Sequence, residues 1–292
     1  MNINISNIFL QLLEKKVTII LITLFFSLSS CIYALMQENI FQASGLYKEA
    51  IIADAQPRFS AGGLSSVAAL AGISTSSSNN KMPEAVEIIN SHVFLTNFIK
   101  KYEYQDEVFA ATKISSDNSI LYDSDIYDAS KNKWVDGDLS DKDLFKRISS
   151  DLYTSRDRIT GFTRVTYRHV SPYFAKEFLD NLIFELNDQM RRDDLAEYAR
   201  AVDYLNAKLI NEVVESQRAI ISSLIQNYLQ KETVASISDE YVLSSIEPPY
   251  VNLQKIGPNR KLIVIAFTIL GFLFSVLFVF SQLFYKNYNT EK

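Results

Sequence analysis

Cysteine is almost missing from this chain: Cys31 is alone among 292 residues. That excludes an intramolecular disulfide and any cysteine-based zinc site. The 2 histidines, His92 and His169, are too few for a histidine-rich metal centre. Glycine and proline are also scarce, at 8 and 6 residues. Neither occurs between Tyr173 and Glu247, which leaves that stretch without a strong helix breaker. The sequence has no G-x-x-x-x-G-K phosphate loop, no G-x-S-x-G, no H-E-x-x-H and no Cys/His pair. A formal net charge of -5 provides no basic excess for nucleic acid. No catalytic, cofactor-binding or metal-ligating residue can therefore be assigned, and the chain does not read as an enzyme.

What is present is unevenly distributed. Mean hydropathy is only +0.01, yet two strongly apolar ends enclose a polar middle. Val17 to Met36 (VTIILITLFFSLSSCIYALM) carries no charge and is long enough to cross a hydrocarbon core of about 30 Å. Lys15 and Lys16 precede it and, by the positive-inside rule, place the N-terminus in the cytoplasm. Leu262 to Tyr285 (LIVIAFTILGFLFSVLFVFSQLFY) is a second span. Its flanking charges, Arg260 and Lys261 before and Lys286 and Lys292 after, leave its direction open. Two spans nevertheless return both termini to one side, and a long loop translocates largely regardless of charge. The expected layout is a cytoplasmic stub at 1–16, a span at 17–36, an extracytoplasmic domain at 37–261, a span at 262–285 and a tail at 286–292. Leu28-Ser29-Ser30-Cys31 also has the form of a lipoprotein cleavage site, with lipidation of Cys31 as the alternative reading. The apolar run continues through Ile32 to Met36, which favours the full span.

The polar middle reads as α+β. Phe41 to Asp54 suits a strand leaving the membrane. The stretch 58–81 is rich in Ser, Ala and Gly and is expected to be a surface loop, mobile or packed on a partner. Pro83 to Tyr102 has helical periodicity, with a restart at Ser91. Aspartates gather between Asp123 and Asp143 without an EF-hand pattern, because Asp141 stands where that loop needs its glycine. Ser140 to Asp143 resembles a capping box opening a helix through Leu144, Ile148 and Leu152. Arg158 to Val170 is the clearest strand: Val165 and Tyr167 point one way, and Arg164, Thr166 and Arg168 the other. Arg164 and Arg168 are candidates to contact an anionic polymer or lipid head group, although such a row is commonly just the wet face of a sheet.

Ser171 and Pro172 then read as N-cap and first residue of a helix. Apolar residues recur at threes and fours from Phe174 to Tyr228, interrupted by Arg191-Arg192-Asp193-Asp194. This spacing predicts one long helix over about 172–235. Roughly 60 helical residues would make a rod about 90 Å long, against a diameter near 45 Å for a compact domain of this size. The rod would overshoot its own domain. Its stripe, Leu195, Tyr198, Val202, Leu205, Leu209 and Val213, is therefore expected to face other copies of the chain. A return segment carrying Pro248, Pro249 and Pro258 should be extended, because proline lacks a donor and fixes φ.

Taken together, these features resemble the polysaccharide co-polymerases, the Wzz-type chain-length determinants of Gram-negative bacteria. The resemblance rests on the basic stub, the first span and the strand after it, and on Ala85 to Ser91 before a helix. It also includes the Arg164–Val170 strand with Ser171-Pro172, the long helix, and a proline segment feeding a second span that contains Gly271. The proline segment departs from the family's prolines at every third position. Pro249 and Pro258 fit that spacing, but Asn252 and Lys255 occupy the intermediate places. The residues themselves predict a small mixed sheet at the base of the periplasmic domain and one very long helix; the resemblance implies homo-oligomers of protomers packed side by side in the inner membrane. It further implies a non-enzymatic regulator of O-antigen or related polysaccharide length, acting with the polysaccharide polymerase on lipid-linked polysaccharide. A polysaccharide export adaptor and a membrane-anchored envelope sensor are the alternatives with the same membrane layout.

Overall fold

The structure, a computed structural model, describes residues 15–50, 81–115, 117–135, 137 and 139–290, with side chains as far as 282. The stub 1–14, residues 51–80 and the aspartates 136 and 138 lie outside these residues. The Ser/Ala/Gly-rich stretch falls almost wholly in that group.

The chain forms two compact units, one of the chain ends up to Ile40 and from Gln254 on, the other from Phe41 to Leu253. In the first unit, α1 (Lys16–Met36) packs against the long C-terminal helix α8 (Arg260–Thr290). Both are apolar and long enough to cross a membrane, α8 over Arg260–Gln282. Their outward residues, among them Leu21, Phe25, Leu273 and Leu277, are exposed, as lipid-facing side chains would be.

The second unit is built on a four-stranded sheet in the order β6-β7-β1-β8, from β1 (Phe41–Glu49), β6 (Leu152–Arg156), β7 (Thr163–His169) and β8 (Leu243–Glu247). The small sheet at the base, expected to be mixed, is antiparallel at every pairing. Alternation places Ala43, Gly45, Tyr47, Val165 and Tyr167 on the buried side. Gly45 has to be glycine there, since a Cβ would collide with the Tyr47 ring folded back over it.

Against that side lie α2 (Met82–Ile89), α3 (His92–Tyr102), α4 (Gln105–Ala110) and α5 (Asp141–Asp151), with the first half of α6 (Pro172–Asn211). The helix starts follow the sequence cues. Ser91, Ser140 and Ser171 each cap a helix by accepting the N–H three residues on, from Phe94, Asp143 and Phe174. The core is aromatic: Phe178 stacks on Tyr167 with centroids 3.8 Å apart and meets Phe98 edge-on at 5.2 Å. Two small hairpins, β2 (Ala111–Ile114) with β3 (Ile120–Tyr122) and β4 (Tyr127–Asp128) with β5 (Lys133–Trp134), complete the unit.

The very long helix forms as α6, 40 residues from Pro172 to Asn211, but it does not continue to the expected 235. The chain leaves α6 at Asn211, becomes extended at Glu212 and Val214, and restarts as α7 (Glu215–Ser236). α7 runs back along α6, bringing the Tyr228 ring to 6.0 Å from Tyr198 and the carbonyl of Ser238 to 3.0 Å from Arg191 Nη1. No glycine or proline makes this turn. The Glu212 carboxylate accepts the N–H groups of Val213 and Val214, both at 3.1 Å, and Arg218 donates to the Glu212 carbonyl. A side-chain acceptor beside two β-branched residues favours ending one helix here, and the packing of α7 on α6 goes with the restart.

Candidate functional surfaces

The functional features of this chain are surfaces and seams. Among the described residues there is no cluster of three or more His, Cys, Asp or Glu placed to hold a metal ion.

The first is the seam between the two apolar helices. Along α8, Gly271, Ser275 and Val279 are buried at successive turns; along α1, Ser30 and Ala34 are. A Cβ on Gly271 would lie 2.5 Å from Phe26 Cβ, so only glycine admits this approach. Thr23 Oγ1 lies 3.4 Å from Ser275 Oγ, and Phe26 and Tyr33 meet Phe274 and Phe267 across the seam. In a hydrocarbon solvent apolar residues gain little by leaving lipid, so helices associate through small residues that permit close packing. Beyond the helix ends the two passes of chain are clasped. Ile40 donates to the Gly257 carbonyl at 3.0 Å, Ile256 returns a bond to Ile40 at 2.9 Å, and Arg260 donates to Gln37 O at 3.0 Å.

The proline segment feeds this clasp. No residue from Pro248 to Asn259 is helical, as the prolines predict. Pro249 is buried, Pro258 is half-buried and Pro248 is exposed. The Asn259 side chain then caps the first turn of α8 by accepting from Leu262 N–H at 3.3 Å.

The second surface is the helical hairpin. Leu195 and Tyr198 pack onto the core of their own chain, while Val202, Leu205 and Leu209 are half-buried. The stripe read as facing other copies is thus covered in part by α7 of the same chain. Val213, the last member, is 90% exposed, and Ile210 beside it is 81% exposed.

Polar residues along α6, inside and outside the charged interruption, are anchors. Buried Asn187 accepts from the N–H groups of Val242 and Leu243, at 3.0 and 2.9 Å, and donates to Leu243 O at 2.9 Å. It stands in for a neighbouring strand and holds the entry to β8. Asp194 takes Lys81 and the Tyr241 hydroxyl, and Glu185 takes Lys101 at 2.5 Å and Arg192 at 3.3 Å. A polar residue at an inward helical position was the signal available in the sequence.

The third surface is the outer side of β7. Arg164, exposed, and Arg168, half-buried, lie on the side opposite Val165 and Tyr167, as alternation requires. The Arg168 guanidinium sits 4.3 Å from the Tyr153 ring centroid. Arg164 Nη1 is 3.3 Å from Ser44 Oγ and 3.8 Å from Glu247.

At the edge of the core, His169 joins β7 to α4 and α6. Its Nδ1 accepts from Ser171 N–H at 3.0 Å, leaving Nε2–H to donate to Glu107 O at 2.9 Å. Only the neutral ring satisfies both bonds, and burial lowers its pKa to about 4. The Glu107 carboxyl is pushed up to about 8, first by burial and then by Asp106.

Residues 1–102 match the Wzz family model, described as "Chain length determinant protein". That match, over the first third of the chain, bears out the resemblance stated from its residues. No curated protein matches the chain. Solved structures similar to it include a full-length bacterial polysaccharide co-polymerase, at 11% identity and TM-score 0.42, covering 96% of this chain and 98% of that one. Another is a fragment of WzzB, polysaccharide co-polymerase from Salmonella Typhimurium, at 12% identity and TM-score 0.30, covering 75% of this chain and 100% of that one.

Proposed function

We propose that this chain is a non-enzymatic regulator of surface polysaccharide length, O-antigen or a related polymer. In this reading it acts as a homo-oligomeric scaffold in the bacterial inner membrane, beside the polysaccharide polymerase and its lipid-linked product. The observation that carries the reading is the match of residues 1–102 to the chain-length determinant family. The two apolar helices at the chain ends agree with a two-pass protein whose middle is periplasmic and whose termini are cytoplasmic. Lys15 and Lys16 before the first span support that orientation.

Each surface has a place in this proposal. The seam at Gly271 and the clasp formed by the proline segment hold the two spans as one element that a polymerase can contact. Self-association runs along the helical hairpin, where Tyr204, Ile210 and Val213 remain exposed after α7 has covered part of the stripe.

The test is a gel of surface polysaccharide from a deletion strain beside the same strain carrying this gene. A ladder that changes from unregulated to a clustered length range supports the proposal. An unchanged length distribution overturns it, and polymer trapped inside the deletion strain favours an export adaptor.

A further inference from the structure

Among the described residues, the outward side chains of β6, β7 and β1 are exposed or half-buried. α6 occupies the inner side. The outward positions of β6, β7 and β1 carry Tyr153 and Ser155, Arg164, Thr166 and Arg168, and Gln42, Ser44, Leu46 and Lys48. Apart from Leu46 and Tyr153, which offers a phenol, these side chains are strongly polar, and their charges are all positive: the two guanidiniums and the Lys48 ammonium. Arg168 is propped on Tyr153, with Nη1 3.3 Å from the phenol oxygen, and its buried Nε has no partner. Thr166 Oγ1 lies 3.2 Å from Ser44 Oγ. Two carboxylates border the face. Glu247 is paired only loosely with Arg164, at 3.8 Å, and Asp151 pairs with Arg147 at 3.6 Å. Guanidiniums held beside hydroxyls match the oxygens of a phosphodiester, which Arg can engage with two parallel N–H donors.

Covalent reach points to the source of the phosphate. The cross-strand partner of Arg168 is Gln42, six positions after Met36, the last residue of α1. Six extended residues span at most about 20 Å. Chain length alone thus caps the reach from the end of that apolar span to Gln42, the strand partner of Arg168, and Arg164 is four residues, about 13 Å, farther along β7.

We propose that this face binds the phosphodiester head groups of anionic lipid, with Arg168 as the nearer donor and Arg164 as the farther one. The inference rests on the two-pass reading above and not on the polysaccharide role. It assigns the basic strand to the membrane surface.

The test uses the full-length chain with Cys31→Ser, carrying one fluorophore at Ser155→Cys on this face or at Ser216→Cys near the hairpin turn. The protein is reconstituted into vesicles of phosphatidylcholine, alone or with about a third phosphatidylglycerol, each containing a quencher on the lipid head group. Protease protection first establishes that both spans are inserted, which separates failure of the two-pass reading from failure of this one. Quenching at Ser155 should exceed that at Ser216 several-fold in the anionic vesicles and fall as salt is raised. It should drop to the Ser216 level in Arg164→Gln/Arg168→Gln and be largely kept in the double Lys variant. Circular dichroism checks that both variants are folded. Equal quenching at the two sites in inserted protein overturns the proposal. So does a Ser155 signal that ignores lipid charge but responds to soluble polyphosphate, which would transfer the face to a free polymer.

Discussion

The two halves of α6 share one periodicity and have opposite surroundings. From Phe174 to Met190 the apolar positions are closed off by the sheet and by α2 to α5, and Phe178, Leu179, Leu182 and Leu186 have no exposure. From Leu195 to Asn211 the stripe is half-buried: among the described residues Leu195 and Tyr198 still touch the core, α7 covers part of the rest, and Ile210 and Val213 are exposed. A repeat at threes and fours says that a face will be covered, but not by what or how completely. The first half is a core element of an α+β unit; the second is one arm of a hairpin that presents surface.

The sharpest way to break this contrast is Phe178→Ala. Removing a buried ring stacked on Tyr167 should cost about 3–5 kcal/mol, read by denaturant titration of the full-length protein in detergent. A loss as small as that expected in the hairpin would erase the distinction between the two halves.

Acid provides the next largest effect, at the half of α6 that packs on the sheet. The unfolded chain protonates His169 near its ordinary 6.5, the folded chain only near 4. Between these values the unfolded state binds more protons, so the contribution is whole above 6.5 and is lost as pH falls through the window to 4. The two and a half units correspond to about 3 kcal/mol. Glu107 works in the opposite sense: its raised carboxyl favours the fold at low pH and loses that contribution as pH rises toward about 8. Stability measured against pH should decline on the acid side of 6.5, and His169→Gln should flatten that limb.

Asn187→Ala should cost about 2 kcal/mol, because it strands two buried N–H groups and a carbonyl at the entry to β8. Thermal melting at neutral pH checks this, and an unchanged midpoint would show that β8 is held by its pairing with β1 alone.

The smallest effects sharpen the distal half. Leu205→Asp should destabilise the hairpin by about 1–2 kcal/mol, whereas Val213→Asp should change stability by less than about 0.5 kcal/mol. Sedimentation of both in detergent then separates fold from assembly. Reduced oligomer mass for Val213→Asp at unchanged stability would make the bare turn an interface between copies. Unaltered mass in both would show that this face serves one chain only.

Much of this was legible in advance. The apolar spans, the helix caps at Ser91, Ser140 and Ser171, the inside-outside alternation of β7 and the non-helical proline segment all follow from local rules about charge, side-chain acceptors and backbone donors. The short strands β6 and β8 were not legible, because LYTSR and LSSIE carry too little alternation to announce a sheet. Their place depends on β7 and β1, which are distant in sequence. The anchoring roles of Asn187, Asp194 and Glu185 were hidden for the same reason, since their partners lie on elements far along the chain. The stripe was visible from Leu195 to Val213; the element that covers it was not.

By itself, then, the amino-acid order determined which segments are apolar enough for a membrane, which faces of the helices and strands turn inward, and where most helices begin. These are properties of a residue and its neighbours within a turn or two. Only the tertiary structure decided that the long helix folds back at Glu212, because that break depends on one carboxylate reaching two backbone N–H groups and on α7 finding a surface to pack against. Whether a helix continues or reverses is settled by the difference between two nearly equal sums of local bonds. The tie is broken by contacts the local sequence does not contain.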